Sequence, residues 1–137
     1  MKASLLLGSI ATAAALCACS PSEPPPPVIA PTEVAAVQTP PPDYPPELAC
    51  AGVGGKSVLK VVVGPEGMPT DVSLVASSGN GQLDEAAAAR VHEWKFKAAT
   101  RNGQPVSTTI QVPVSFNPPQ PKPDECFAIE ERMRRGG

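Results

Sequence analysis

This chain has little with which to hold a metal ion or run a hydrolytic reaction. Its 137 residues include one tryptophan, one tyrosine, three phenylalanines and a single histidine, with no acidic cluster and no Cys/His array. A metal site needs several such ligands close together, and an acid–base or nucleophilic centre needs partners at defined spacing. Neither is present, so no enzyme and no cofactor is expected. Charge of one sign is also lacking: eleven basic against thirteen acidic side chains leave a formal net charge of −2. No broad electropositive surface is available to hold phosphates, and nucleic acid is excluded as a partner. The apolar stretch from Ser4 to Ala18 covers about 22 Å as a helix, short of the roughly 30 Å of a bilayer core, so it is not expected to span permanently.

Proline and glycine, by contrast, are abundant. Nineteen prolines and eleven glycines are too many for one compact body, so part of the chain must be a tether. The first part reads as export: Met1 and Lys2, then apolar and small residues to Ala18. The run closes in Leu16-Cys17-Ala18-Cys19, which resembles the lipobox of bacterial lipoproteins. The resemblance implies cleavage before Cys19, a diacylglycerol thioether on its sulfur and an acyl chain on its new amino group. Several acyl chains hold a protein at a membrane where one is only marginal. Ser20 in the next position resembles, in enteric-type sorting, a signal for the outer membrane in preference to the inner. An ordinary secretory signal cut after Ala13-Ala14-Ala15 is the alternative reading. The expected organisation is a lipoprotein signal at 1–18, a proline-rich flexible tether at 19–42, a folded domain at 43–118 and a tail at 119–137.

Between Pro21 and Pro46 eleven residues are proline, without apolar periodicity. Such a run fluctuates around polyproline II and reaches roughly 80 Å when extended. A PxxP ligand for an aromatic groove is a weaker alternative. The signal and the lipid account for Cys17 and Cys19, which leaves Cys50 and Cys126 in an oxidising compartment. They are expected to pair; two unpaired thiols are the alternative, because spacing alone does not bring two Cα atoms together.

From Tyr44-Pro45-Pro46 onward apolar residues become periodic. Pro46 to Ala51 reads as a short helix ended by Gly52 and Gly54-Gly55. Ser57 to Gly64 is a β-branched strand with Leu59, Val61 and Val63 on one face. Pro65-Glu66-Gly67-Met68 supplies a turn, and Thr70 to Ser77 alternates with Val72, Leu74 and Ala76 inward, closing a hairpin. A loop from Ser77 to Gly81 offers a helix cap. Leu83, Ala87, Val91 and Trp94 then mark one apolar helix face, and Asp84 and Glu85 lie where the helix dipole favours negative charge. Arg101-Asn102-Gly103-Gln104 is a second turn, and Val106 to Asn117 alternates as the last strand. Pro113 inside it cannot donate to a ladder, which predicts an edge strand. Asp124 to Arg135 is expected to form a solvated helix capped by Asp124 and pinned by Cys126.

Three other features are set aside. Gly52-Val53-Gly54-Gly55-Lys56-Ser57 looks like a phosphate loop, but Cys50 replaces the required glycine and a strand follows instead of a helix. His92 stands alone on a polar helix side, without a serine or cysteine partner. Asp84 and Glu85 are helix neighbours that point apart, so they cannot face each other as an acid–base pair.

The order of these signals resembles the C-terminal domain of the TonB family over Pro42 to Pro118. The carrying motifs are Tyr44-Pro45, Gly55, Pro65-Glu66-Gly67, Ser77-Ser78-Gly79, Leu83-Asp84-Glu85-Ala86, Trp94-Lys95-Phe96, Asn102-Gly103-Gln104-Pro105-Val106 and Val112-Pro113-Val114-Ser115-Phe116. The resemblance implies an α+β fold, with a three-stranded antiparallel sheet packed on one main helix and a short N-terminal helix. It implies no catalytic residues. It further implies a periplasmic module that grips the TonB box, an extended peptide of an outer-membrane receptor, in TonB-dependent transport. The grip would be strand addition along Thr108, Thr109, Ile110, Gln111, Val112, Pro113, Val114, Ser115 and Phe116, with Tyr44 and Pro45 facing the receptor. Two departures stand out: a lipoprotein signal replaces the family's N-terminal transmembrane helix, and Pro41 stands where one family pattern has glutamine. Expected partners are therefore a TonB-dependent receptor or another periplasmic protein, a membrane through the lipid, and a second copy through the same edge. The alternative function is an envelope scaffold lipoprotein that binds peptidoglycan or another periplasmic protein. The proline could also serve only to blunt an edge against aggregation.

Overall fold

The computed structural model describes Gly8 and residues 22–137. The expected signal, its cleavage site and the lipidated Cys19 lie outside the described residues. Ten elements follow in order: β1 (Ala35–Gln38), α1 (Pro46–Cys50), β2 (Gly55–Val63), β3 (Pro69–Ala76), α2 (Gly81–Val91), β4 (Lys95–Lys97), β5 (Ala99–Arg101), β6 (Gln104–Val106), β7 (Thr108–Phe116) and α3 (Glu125–Gly136). The α+β class holds, with a three-stranded antiparallel sheet in the order β3-β2-β7. Among the described residues no helix is long and apolar enough to cross a membrane.

The alternation in β2 is realised as burial. Leu59, Val61 and Val63 are fully enclosed, while Lys56 and Lys60 on the opposite face are exposed. From β7 come Val112, Val114 and Phe116, and from α2 come Leu83, Ala87 and Val91, to complete one core. Full burial of a side chain the size of Leu or Val stabilises the fold by about 1.5–3 kcal/mol. The small Ala87 lets α2 settle close to the sheet. Asn80 caps α2: its side-chain oxygen accepts from the Gln82 and Leu83 N–H groups, two of the donors that a helix start leaves unpaired. The helix ends at Val91, three residues before Trp94, so Trp94 belongs to the loop and not to the helix.

The β2–β3 turn follows its sequence chemistry. Gly67 donates its N–H to the Gly64 carbonyl and adopts φ 79°. A Cβ there would lie 2.0 Å from the Phe96 carbonyl oxygen, so no other residue fits. The second turn closes β5 against β6 with Asn102 and Gly103 both at positive φ, a tight hairpin turn that the Asn-Gly pair favours.

Several expectations are corrected. Leu74 and Ala76 are not inward: Leu74 is 48% exposed and Ala76 is exposed too, and only Val72 of that set packs on the core. The register of β3 on β2 shifts between Val58 and Leu59, so Ala76 pairs out of phase with the rest of the strand. Asp124 precedes α3, but its side chain makes no capping hydrogen bond. The residues expected to be a free tether up to 42 are also partly engaged: β1 pairs antiparallel with β4, and Thr32 bridges to Thr100.

Cys50 and Cys126 form a disulfide, with their Cα atoms 5.2 Å apart. The bond fastens α3 to α1. Most of the rest of α3 is exposed, Phe127 included at 62%, while Ile129, Glu130 and Glu131 are half-buried.

Candidate strand-addition edge

β7 lies at one margin of the three-stranded sheet. Nine consecutive pairs join it to β2 without a register break, from Gly55 opposite Phe116 to Val63 opposite Thr108. Val58 stands opposite Pro113 in that ladder. Residues of an antiparallel pair either exchange both hydrogen bonds with each other or turn both groups outward, in alternation. Proline has no N–H, so Pro113 belongs to the outward-turned set. By the same parity Thr109, Gln111 and Ser115 aim their main-chain groups away from β2. The outer margin thus carries four carbonyls and three N–H groups, with one donor missing at Pro113.

The same parity sorts the side chains. Val112, Val114 and Phe116 are buried and Ile110 packs against the core, whereas Thr109, Gln111, Pro113 and Ser115 are exposed. The exposed set lies on the face of the sheet that also carries Lys56 and Lys60. Among the described residues no strand other than β2 pairs with β7, and the tail is held elsewhere, by the Cys126 bond to α1.

The other margin is built differently. β3 begins at Pro69 and breaks register with β2 twice, between Val58 and Leu59 and between Val62 and Val63. Bulges bend and twist an edge away from regular pairing. β7 is the straighter template.

Tyr44 and Pro45 act at the end of this edge. The Tyr44 ring meets Phe116 edge to face, with centroids 5.4 Å apart, and its hydroxyl donates to the Val53 carbonyl at 2.6 Å. Burial pushes the Tyr44 phenol up from its ordinary range. The carbonyl of Pro45 accepts from the Ala49 N–H and starts α1. Both residues are half-buried, and the Tyr44 ring packs against the residue that ends β7.

A second polar cluster escaped the sequence reading. The Asp84 carboxylate accepts from Ser57 Oγ at 2.7 Å, Ser77 Oγ at 2.5 Å and the Ser78 N–H at 2.8 Å. Burial tends to raise its pKa, but these donors favour the charged form more strongly and hold it well below the usual carboxylate range. The cluster ties α2 to β2 and to the loop after β3, and Ser57 is fully buried within it. Gly55 belongs to the same corner: a Cβ on it would lie 2.4 Å from the Ser78 carbonyl oxygen. The adjacent serines before a first-turn aspartate were the available signal. The reach of Ser57 from another strand had none.

His92 is exposed. Among the described residues no group of three or more His, Cys, Asp or Glu side chains is placed to hold a metal ion.

The family model for the C-terminal region of Gram-negative bacterial TonB proteins matches residues 40–118. The chain belongs to that family. The TonB protein of Xanthomonas campestris pv. campestris strain B100 is 46% identical over 76 residues, which are 56% of this chain and 34% of that protein. The tonB2 protein of Pseudomonas aeruginosa is 32% identical over 80 residues, covering 58% of this chain and 30% of its own length. The chain therefore spans about a third of the length of these TonB relatives. The solution structure of the Pseudomonas aeruginosa TonB C-terminal domain has the same fold, with a TM-score of 0.50 at 18% identity over 66% of this chain and 90% of that one. The TonB C-terminal domain expected from the motifs is thus the one found, and its matched region contains α1, α2 and the whole β3-β2-β7 sheet.

Proposed function

We propose that this TonB-family domain is a periplasmic binding module that accepts an extended peptide as an added strand along β7. The peptide is the TonB box of an outer-membrane receptor, and the role is in TonB-dependent transport. The observation that carries the reading is the unbroken β2–β7 register, which leaves a regular outer row of main-chain groups on β7 with no strand partner among the described residues. Main-chain pairing supplies affinity and side chains on alternate positions supply selection. Thr108 to Phe116 is the binding strand; Tyr44 supports it by packing on Phe116, and Pro45 starts α1 beside it. A lipid on Cys19 ties the domain to the envelope, at the outer membrane. The same exposed edge is the surface through which a second copy would pair.

The test is a titration of the isotope-labelled protein with TonB-box peptides. Amide shifts concentrated at Thr109, Gln111 and Ser115 are expected, and peptides N-methylated at alternate residues should lose binding. Silence along β7, with binding to peptidoglycan instead, would establish the scaffold role. Labelled palmitate should enter the protein and be lost on Cys19→Ala.

A further inference from the structure

The segment ahead of the domain is engaged with it at many points. β1 pairs with β4 through Ala35 opposite Lys97, Ala36 opposite Phe96 and Gln38 opposite Lys95. Thr32 and Thr100 exchange two main-chain hydrogen bonds, 3.1 and 3.0 Å long, and their hydroxyls lie 2.8 Å apart. Arg101 donates to the Thr32 carbonyl and pairs with Glu33. The Trp94 indole N–H donates to the Pro40 carbonyl at 3.0 Å. Residues 32–39 precede the region that the family model matches.

The character of these contacts is as telling as their number. All four residues of β1 are exposed, and Val34 is the one side chain of the segment that packs on the core. The Arg101–Glu33 pair is exposed on both sides, and such pairs contribute little and weaken with salt. The attachment therefore consists mainly of main-chain hydrogen bonds and one tryptophan contact. Detaching it breaks no contact among β2, β7 and α2. Regions with few buried apolar contacts open locally at free energies well below that of global unfolding.

We propose that residues 32–40 are a releasable strap, a strand that the chain lends to its own β4 edge, whose opening lengthens the free tether without unfolding the domain. With the strap closed, residues 22–31 make no main-chain hydrogen bond to the domain, although the Ile29 side chain lies beside Gly103, and they would span about 31 Å when extended as polyproline II. Opening adds nine residues and about 28 Å more. The proline-rich composition suits both states. Prolines flank β1 at Pro31 and Pro40, where they terminate pairing, while Ala35–Gln38 between them carries the N–H groups that a ladder needs. The strap edge and the β7 edge lie in different sheets, so a guest on β7 can be held with the strap open or closed.

Native-state hydrogen exchange on the full chain, in low concentrations of denaturant, tests this. The Thr32 and Thr100 amides should be protected relative to Ile29, yet exchange at least tenfold faster than Leu59 and with a weaker dependence on denaturant. Thr32→Pro should remove the protection of Thr100 and leave Leu59 unchanged. Spin labels on Ser22→Cys and Glu85→Cys should report a longer and broader distance in the Thr32→Pro chain. Trp94→Phe, which keeps a packed ring but loses the bond to Pro40, should accelerate Thr100 exchange by a smaller factor. A Thr32 amide as fast as Ile29 would mean that no strap forms. A Thr32 amide that exchanges only in step with Leu59, or a label distance unmoved by Thr32→Pro, would equally overturn the proposal.

Discussion

Tyr44 sets the edge of its ring against Phe116, the residue with which β7 ends, and spends its hydroxyl on the Val53 carbonyl. One side chain thus joins the segment before α1, the loop after it and the end of the candidate binding strand. Tyr44→Phe keeps the ring contact and loses one hydrogen bond, leaving the Val53 carbonyl to water. A loss of about 0.5–1.5 kcal/mol is expected. Tyr44→Ala also removes the ring and should cost about 3 kcal/mol or more. Urea denaturation of both variants measures the difference, and amide exchange at Phe116 should rise only in the alanine variant.

Pro113 withholds one donor from the outer margin of β7 without disturbing its pairing to β2. Pro113→Ala should therefore change stability by no more than about 1 kcal/mol and make the edge a more complete template. Increased self-association in sedimentation velocity and tighter binding of an extended peptide are the expected results. A clear gain in stability would show instead that the restored N–H faces β2 and closes a ladder bond there.

The Cys50–Cys126 bond closes a sequence separation of 76 residues. In the chain-entropy account a loop of that size stabilises a fold by about 4 kcal/mol. Both half-cystines are buried, at 4% and 1% exposure. Cys50→Ala/Cys126→Ala should lower the unfolding free energy by about 2–4 kcal/mol and free α3. The β2–β7 ladder should survive, because neither half-cystine belongs to the core cluster that β2, β7 and α2 share. Thermal unfolding and amide exchange across Thr108–Phe116 test the two halves of this statement.

Asp84 makes stability depend on acid. Its native pKa lies below the unfolded value of about 3.9, so the native state prefers the charged form. Its contribution is fully present above the unfolded pKa and is lost as pH falls through the native one. Stability should thus decline as the pH is lowered from about 4. Asp84→Asn should be less stable at neutral pH by about 1–2 kcal/mol and should show a shallower decline in acid. Chemical denaturation between pH 2 and 7 provides the comparison.

The elements read correctly from sequence are those whose information is local. Leu59-Val61-Val63 and Val112-Val114-Phe116 show period two, Leu83-Ala87-Val91 shows helical spacing, and Pro65-Glu66-Gly67 and Asn102-Gly103 carry their turn chemistry in the residues themselves. Leu74 failed for the opposite reason: its place in the alternation is right, opposite the buried Leu59, but burial at an edge strand depends on what packs over it and not on the local pattern. The Asp84 cluster was half legible, since Ser77 and Ser78 are near in sequence and Ser57 is not.

The amino-acid order alone determined the α+β class, the family and the edge character of the strand that holds Pro113, because side-chain pattern and proline chemistry act over a few residues. Tertiary structure decided the rest. It brought Cys50 to Cys126, left the outer row of β7 without a strand partner among the described residues, and fastened Ala35–Gln38 to a strand sixty residues away. Such pairing is made by the main chain, which every residue but proline supplies alike, so no side-chain pattern announces it.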